Sequence, residues 1–172
     1  MPSSYQAPTR GDKAKRTTSQ TVQSNSATDN ATVQSLLNHK GNSIFSIQPD
    51  ITLGEAVIVL RDKRIGALLV TDSTGSLVGI LSERDIVRKL AETPGEVLAK
   101  KVDELMTKKI ETCTPEEPVV SVLRRMSEGR FRHMPVVQNG KLAGMITIGD
   151  VVNYRLTQLE HEALQLKQLI VG

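Results

Sequence analysis

The chain has 172 residues, 22 Lys and Arg against 19 Asp and Glu, 2% aromatic residues and a single cysteine; its length allows one domain or two small halves sharing a core. Residues 1–32 carry Arg10, Lys13, Lys15 and Arg16 against Asp12 and Asp29, so the other 140 residues hold 18 basic and 17 acidic groups. That near-neutrality argues against an electrostatic nucleic-acid surface, and so few aromatics leave no base-stacking platform. Cys113 alone excludes an intrachain disulfide framework and a multi-cysteine metal site, and no apolar run approaches the roughly 18 residues of a membrane span.

Residues 1–32 contain eleven Ser or Thr and no Leu, Ile or Phe. Such a segment buries too little apolar surface to offset its ordering entropy, and it reads as a disordered tail. It is basic, hydroxyl-rich and poor in acid, the composition of an organelle transit peptide, but it lacks the apolar face such a peptide needs. No apolar h-region follows Met1, so a cytoplasmic protein is expected, with an organellar matrix as the alternative. Folded sequence begins near Val33, where Val33, Leu36 and Leu37 stand at helical spacing.

A short strand is predicted from Ile44 to Ile47, stopped by Pro49. A helix follows, started by Thr52 with Glu55 three residues on, a capping-box spacing, and buried along Leu53, Ala56, Val57 and Leu60. Ala67 to Thr71 and Leu77 to Leu81 form a hairpin around the glycine-containing loop Asp72 to Ser76, and a second helix closes the unit. The order then recurs. Ile110 to Cys113 is a strand, Pro118 suits the first position of a helix buried along Val119, Val122, Leu123 and Met126, and Met134 to Gln138 pairs with Leu142 to Ile146 through the Asn139-Gly140 turn. An offset of 66 aligns Ile44 with Ile110, Arg64 with Arg130 and Val70 with Val136; after one deletion, 65 aligns Gly79 with Gly144, Ser82 with Thr147 and Asp85 with Asp150. The chain therefore holds two copies of a strand-helix-strand-strand-helix unit, each too small for a secure independent core. Two copies packed sheet to sheet about a pseudo-twofold axis leave a crevice at their seam as the natural ligand site.

The element Gly-x-x-Ser/Thr-x-x-Asp occurs twice, where a strand passes into a helix: Gly79, Ser82, Asp85 and Gly144, Thr147, Asp150. Free backbone N–H groups at a helix start suit an anion, and a carboxylate one turn in can accept both hydroxyls of a ribose. The same spacing is also that of a capping box, and the two roles are compatible. Arg130, Arg132 and His133 precede the strand at Met134 and supply phosphate-gripping groups. The first copy has Ile65, Gly66, Ala67 and Leu68 opposite Phe131, Arg132, His133 and Met134, so two unequal sites are expected; Arg84 and Arg88 are the residues able to compensate in the first.

The segments IGALLV (Ile65 to Val70), GILSERDIVR (Gly79 to Arg88), VDELMT (Val102 to Thr107), RFRHMPVV (Arg130 to Val137) and GMITIGDVV (Gly144 to Val152) resemble the cystathionine-β-synthase (CBS) domain, and the pair resembles a stand-alone CBS tandem, or Bateman module, over about residues 33–170. The resemblance implies an α+β fold of two β-α-β-β-α units: a tail 1–32, a first repeat 33–96, an inter-repeat linker helix 97–109 and a second repeat 110–172 with a C-terminal helix. It implies a non-catalytic module that binds an adenine nucleotide (AMP, ATP or NAD(H)) as regulatory ligand, pairs into a homodimer and signals energy or redox state to an unidentified target protein. It gives Asp85 and Asp150 the ribose role. It makes Ile44, Ala67 and Leu68, with Ile110, Thr112, Met134 and Pro135, walls of adenine slots. It groups Ile44 and Ala67 with Thr147 and Asp150, and Ile110, Thr112 and His133 with Ser82 and Asp85.

No P-loop, GxGxxG or zincin spacing is present, and His39, His133 and His161 lie far apart in the sequence. Cys113, inside a predicted strand, reads as inert core. Val152, Leu156, Leu159, Ala163, Leu166 and Ile170 alternate four and three apart, a seam for the module itself or, as we read it, for a dimer partner. The rival readings are a ligand-independent dimeric scaffold, an enzyme of nucleotide metabolism and, disfavoured by charge, a nucleic-acid binder.

Overall fold

The computed structural model describes residues 31–171; the tail reading of residues 1–30 lies outside the described residues. Ala31 and Thr32, assigned above to the tail, belong to the fold. The Ala31 carbonyl accepts the Val119 N–H (2.8 Å), and Thr32 pairs with Pro118 and caps helix α1 (Val33–Lys40).

The first repeat consists of β1 (Ser46–Ile47), α2 (Leu53–Lys63), β2 (Ala67–Thr71), β3 (Leu77–Ser82) and α3 (Glu83–Glu92). β2 is central, parallel to β1 and antiparallel to β3. The capping box at α2 forms as its spacing requires: Thr52 Oγ1 accepts the Glu55 N–H (3.2 Å), and Glu55 Oε2 accepts the Thr52 N–H (2.8 Å). The predicted linker helix is broken into a 3-10 turn, Val97–Ala99, and a one-turn helix α4 (Val102–Leu105). The second repeat follows as α5 (Val119–Gly129), β4 (His133–Gln138), β5 (Lys141–Thr147) and α6 (Ile148–Val171). Pro118 stands at the N-cap of α5, one residue before the position expected.

The strand expected at Ile110 to Cys113 contracts to one parallel bridge, Cys113 with Val136. Cys113 N–H donates to Pro135 O (3.0 Å) and Val137 N–H donates to Cys113 O (2.8 Å). One step back, the first repeat has Leu69 N–H donating to Phe45 O (3.1 Å), but Pro135 stands at the place of Leu69 and has no N–H to give. Other backbone features recur in both repeats. Arg64 and Arg130 end α2 and α5 in left-handed conformation (φ 53° and 55°), and the first N–H groups of α3 and α6 donate to Gly66 O and Arg132 O, both at 3.0 Å.

Two cores result. One joins Leu53, Ala56, Leu60, Leu68, Val70, Leu81 and Ile86 with Val97 and Val102 from the linker. The other joins Val122, Met126, Met134, Val136, Ile146 and Val151 with Val33, Leu36 and Leu37 from α1. The segment preceding each repeat in the chain thus packs on the other repeat. Strand glycines make this possible: a Cβ on Gly79 would stand 2.3 Å from Met106 Sδ, and one on Gly144 2.9 Å from Leu37 Cδ2. The glycine of the repeated Gly-x-x-Ser/Thr-x-x-Asp element therefore serves helix-to-sheet packing. No helix among the described residues is long and apolar enough to cross a membrane.

Candidate functional site

Two clefts lie at the seam of the repeats, each built from the start of one repeat and the helix entrance of the other. The first is lined by Thr107, Lys109, Ile110, Glu111 and Arg130 to His133, facing Gly66, Ile80, Ser82, Glu83, Arg84, Asp85 and Arg88. The second is lined by Lys40, Gly41, Ser43, Phe45 and Arg64 to Ala67, facing His133, Met145, Thr147 and Asp150. The repeat offset carries one lining onto the other: Ser43 onto Lys109, Arg64 onto Arg130, Thr147 onto Ser82 and Asp150 onto Asp85.

At both helix entrances the carboxylate is a cap. Asp85 Oδ2 accepts the Ser82 N–H (3.3 Å) while Ser82 Oγ accepts the Asp85 N–H (3.3 Å). Asp150 Oδ2 accepts the Thr147 N–H (2.8 Å), and Thr147 Oγ1 accepts the Asp150 N–H (3.1 Å). Each cap uses one carboxylate oxygen. The other, Oδ1, receives no hydrogen bond among the described residues and belongs to a side chain that lines the cleft. Asp150 Oδ2 also takes a salt bridge from Lys40 Nζ at 2.6 Å, with both side chains about a quarter exposed (25% and 23%).

The charges separate the clefts. Arg84, Arg88, Lys109, Arg130 and Arg132 line the first, against Glu83, Asp85 and Glu111. At the equivalent places the second repeat's half and its surroundings offer Gly149, Asn153, Ser43, Arg64 and Gly66. Arg84 and Arg88 therefore join Arg130 and Arg132 in one cleft instead of compensating a separate site, and Arg84 Nη1 reaches the Arg130 carbonyl across the seam at 3.5 Å. His133 stands between the clefts and lines both. Burial holds its imidazole below the ordinary pKa, opposed by the Glu83 and Asp150 carboxylates and reinforced by Lys40 and Arg132. Gly66 faces it from the other repeat: a Cβ there would meet His133 Nε2 at 3.4 Å and Glu83 Oε1 at 3.5 Å.

Of the residues singled out from sequence, the first cleft brings together Ser82, Arg84, Asp85, Ile110, Arg130, Arg132 and His133, and the second Ala67, Thr147 and Asp150. The remaining five line neither. Leu68 and Met134 are buried in the cores, on the side opposite their cleft-lining neighbours Ala67 and His133, because successive strand residues face opposite ways; Pro135 is buried between Met134 and Val136. Ile44 is exposed and Phe45 takes the wall. The Thr112 carbonyl is held by Arg125 Nη2 at 2.9 Å. Sequence reasoning missed Lys40 and Lys109. Lys109 is the repeat equivalent of Ser43, and a charge appearing there in only one copy was the available signal; Lys40 meets Asp150 across 110 positions with no local signature. Cys113 is buried beside Glu117, its thiol pushed up to about 12 mainly by burial, which leaves no nucleophile there at neutral pH.

A family model described as the CBS domain matches residues 40–92 and 102–157. The mitochondrial CBS domain-containing protein CBSX3 of Arabidopsis thaliana is 31% identical over 152 residues, 84% of this chain and 74% of that one. A 17.7 kDa protein of Acidianus ambivalens is 33% identical over 109 residues, and the match spans 65% of its length. Among solved structures, the CBS-domain containing protein ATU1752 from Agrobacterium tumefaciens is 40% identical with a TM-score of 0.71, covering 73% of this chain and 94% of that one. The CBS domain pair of protein MJ0100, solved in complex with 5'-methylthioadenosine and S-adenosyl-L-methionine, is 27% identical with a TM-score of 0.63, covering 74% and 98%. With two matched repeats, paired sheets and clefts at their seam, the chain belongs to the CBS-domain family, as a tandem pair.

Proposed function

We propose that this chain is a non-catalytic regulatory module that binds an adenine nucleotide in the first cleft and passes the occupancy to a target protein in the cytoplasm. The convergence of Asp85 with five cationic side chains carries this reading. A carboxylate oxygen not used by the cap suits sugar hydroxyls, and guanidinium groups suit phosphate oxygens. The MJ0100 pair, crystallised with two adenosine compounds, supports the adenosine part. The surplus of cations supports a ligand with phosphate, such as AMP, ATP or NAD(H), over a neutral nucleoside. The second cleft, where Lys40 already pairs with Asp150, is the weaker of the two. Ligand that favours one relative setting of the repeats shifts the population toward it, and a partner reads that shape.

Calorimetry with AMP, ATP, NAD, NADH and S-adenosyl-L-methionine tests the proposal. At least one phosphate-bearing ligand binds in the micromolar range, about −7 to −8 kcal/mol. Asp85→Ala weakens it at least about tenfold while lowering stability by no more than the roughly 1 kcal/mol of a lost cap. Silence with all five ligands favours a ligand-independent scaffold, and turnover of a bound nucleotide over hours favours an enzyme. Affinity left intact in Asp85→Ala leaves that carboxylate as a cap only.

A further inference from the structure

The long helix α6 has a face that the fold does not use. Heptad positions follow from its apolar spacing: Leu156, Ala163 and Ile170 fall at a, and Val152, Leu159 and Leu166 at d. The contacts to the body come from the opposite side. Val151, at c, is buried in the core, and Tyr154, at f, stacks edge-on with His39 of α1 at 6.0 Å between centroids; the hollow beside them is lined by Gln158 and His161, at c and f, and by the flanking Glu160 and Glu162, but by none of the six seam residues. The seam therefore points outward, with Leu156 53% exposed, Leu159 45%, Leu166 60% and Ile170 83%. Six apolar layers in a row on one exposed stripe require an occupant.

The sequence of residues 1–30 contains no Leu, Ile or Phe and so holds no matching apolar heptad. The flanking charges identify what can occupy the seam. Arg155 and Glu162 stand at g; Glu160 and Lys167 stand at e. When two copies of α6 run parallel and in register, each g residue meets the e residue five places on in the other helix. Arg155 then faces Glu160 of the partner subunit, and Glu162 faces Lys167 of the partner subunit, so both kinds of flanking pair attract. An antiparallel pairing that keeps all six layers matches Leu156 with Leu166 of the partner subunit and sets Glu160 and Glu162 each against its own like. Like charges at these positions repel, which selects against that arrangement.

We infer that the outward seam of α6 is an interface for the same helix of a second copy, parallel and in register. None of the six seam residues lines either cleft, and the outcome is separate from that of the nucleotide reading.

Sedimentation equilibrium and disulfide trapping of the full chain test it. The unaltered protein is a dimer, and Leu159→Lys raises the concentration at which it dissociates by at least about tenfold, because a lysine replaces an apolar layer. Val152→Cys and Ile170→Cys, each alone, oxidise to a covalent dimer, since a parallel pair sets each position against itself; buried Cys113 does not compete. In the antiparallel pair these positions face one another, with like positions about 27 Å apart along the axis. Cross-linking only when the two variants are mixed overturns the parallel register. A monomeric protein, or a dimer whose mass is indifferent to Leu159→Lys and which no cysteine traps, overturns the interface itself.

Discussion

Gly144 lacks a side chain because Leu37 occupies the space one would need. The nearest atom to a Cβ at that position is Leu37 Cδ2 at 2.9 Å, and Leu37 is itself only 1% exposed, so neither side can yield without opening the second core. Gly144→Ala is expected to cost about 1–3 kcal/mol, the range for overpacking a filled site. Urea unfolding measures it, and Leu37→Ala added to Gly144→Ala recovers part of the loss by making room. A simple sum of the two single effects would show that the glycine and the leucine are not in contact. The companion position, Gly79, is no roomier: a Cβ there would meet Met106 Cγ at 2.9 Å and Met106 Cβ at 3.2 Å, and the latter does not move with the rotamer, so the same change there is expected to cost at least as much. These two glycines looked like part of a binding motif because they lie three residues before the hydroxyl of each helix entrance. Their own role is in packing, while the hydroxyl and the carboxylate beyond them face the clefts.

Elements whose signals are local were legible in the sequence. Asn139-Gly140 demands a turn with two left-handed residues, and φ is 51° and 73° there. Thr52 and Glu55 announce the start of α2, helical spacing locates the buried stripes of α2 and α5, and short apolar runs bounded by turn residues locate the hairpin strands, whose buried residues run consecutively in β2 and β4. The clefts were legible as far as the repeat itself: aligned copies place Ser82 with Thr147 and Asp85 with Asp150. What was not legible is exchange between distant segments. Nothing near Leu37 says that it belongs with Gly144, nor near Lys40 that it will pair with Asp150. The loss of the second repeat's first strand was available in Pro135, which removes a ladder donor, but only to a reader who already knew the parallel register. The exchange of α1 and α4 yields a prediction about fragments of equal length. Residues 33–96 follow the repeat boundary but omit Val97, Val102 and Met106, which close the first core. Residues 44–107 include them and omit α1, which serves the other core. The 44–107 fragment is therefore expected to keep more helix by circular dichroism and a steeper urea transition. Equal content in the two would mean that the linker's packing contributes nothing.

At the scale of the whole molecule, the two repeats meet at His133. It comes from the second repeat, lies against Gly66 of the first and borders both clefts, so its charge state bears on the seam as a unit. Glu83 and Asp150 face it and favour the imidazolium; Lys40 and Arg132 oppose it; burial is the largest influence and also favours the neutral ring. The folded-state pKa is thus depressed below the roughly 6.5 of a histidine in an unfolded chain. Around that pH the unfolded state binds more protons than the folded one, so stability rises with pH there. The stabilisation from the neutral ring is complete above about pH 6.5 and is lost between that value and the lower folded pKa as the solution is acidified. Thermal unfolding of the full chain is expected to show a lower midpoint at pH 5.5 than at pH 8. His133→Gln, which keeps a polar group of similar reach but does not titrate, flattens that dependence over the same interval. If its profile ran parallel to that of the unaltered protein, the acid sensitivity would belong to other groups. A phosphate-bearing ligand in the first cleft adds a negative charge beside the ring and so raises its pKa. By linkage, acidification toward that pKa tightens binding of such a ligand even as it weakens the empty fold. Calorimetric titrations at pH 6 and pH 8 are expected to differ in that direction for the unaltered protein and to converge in His133→Gln.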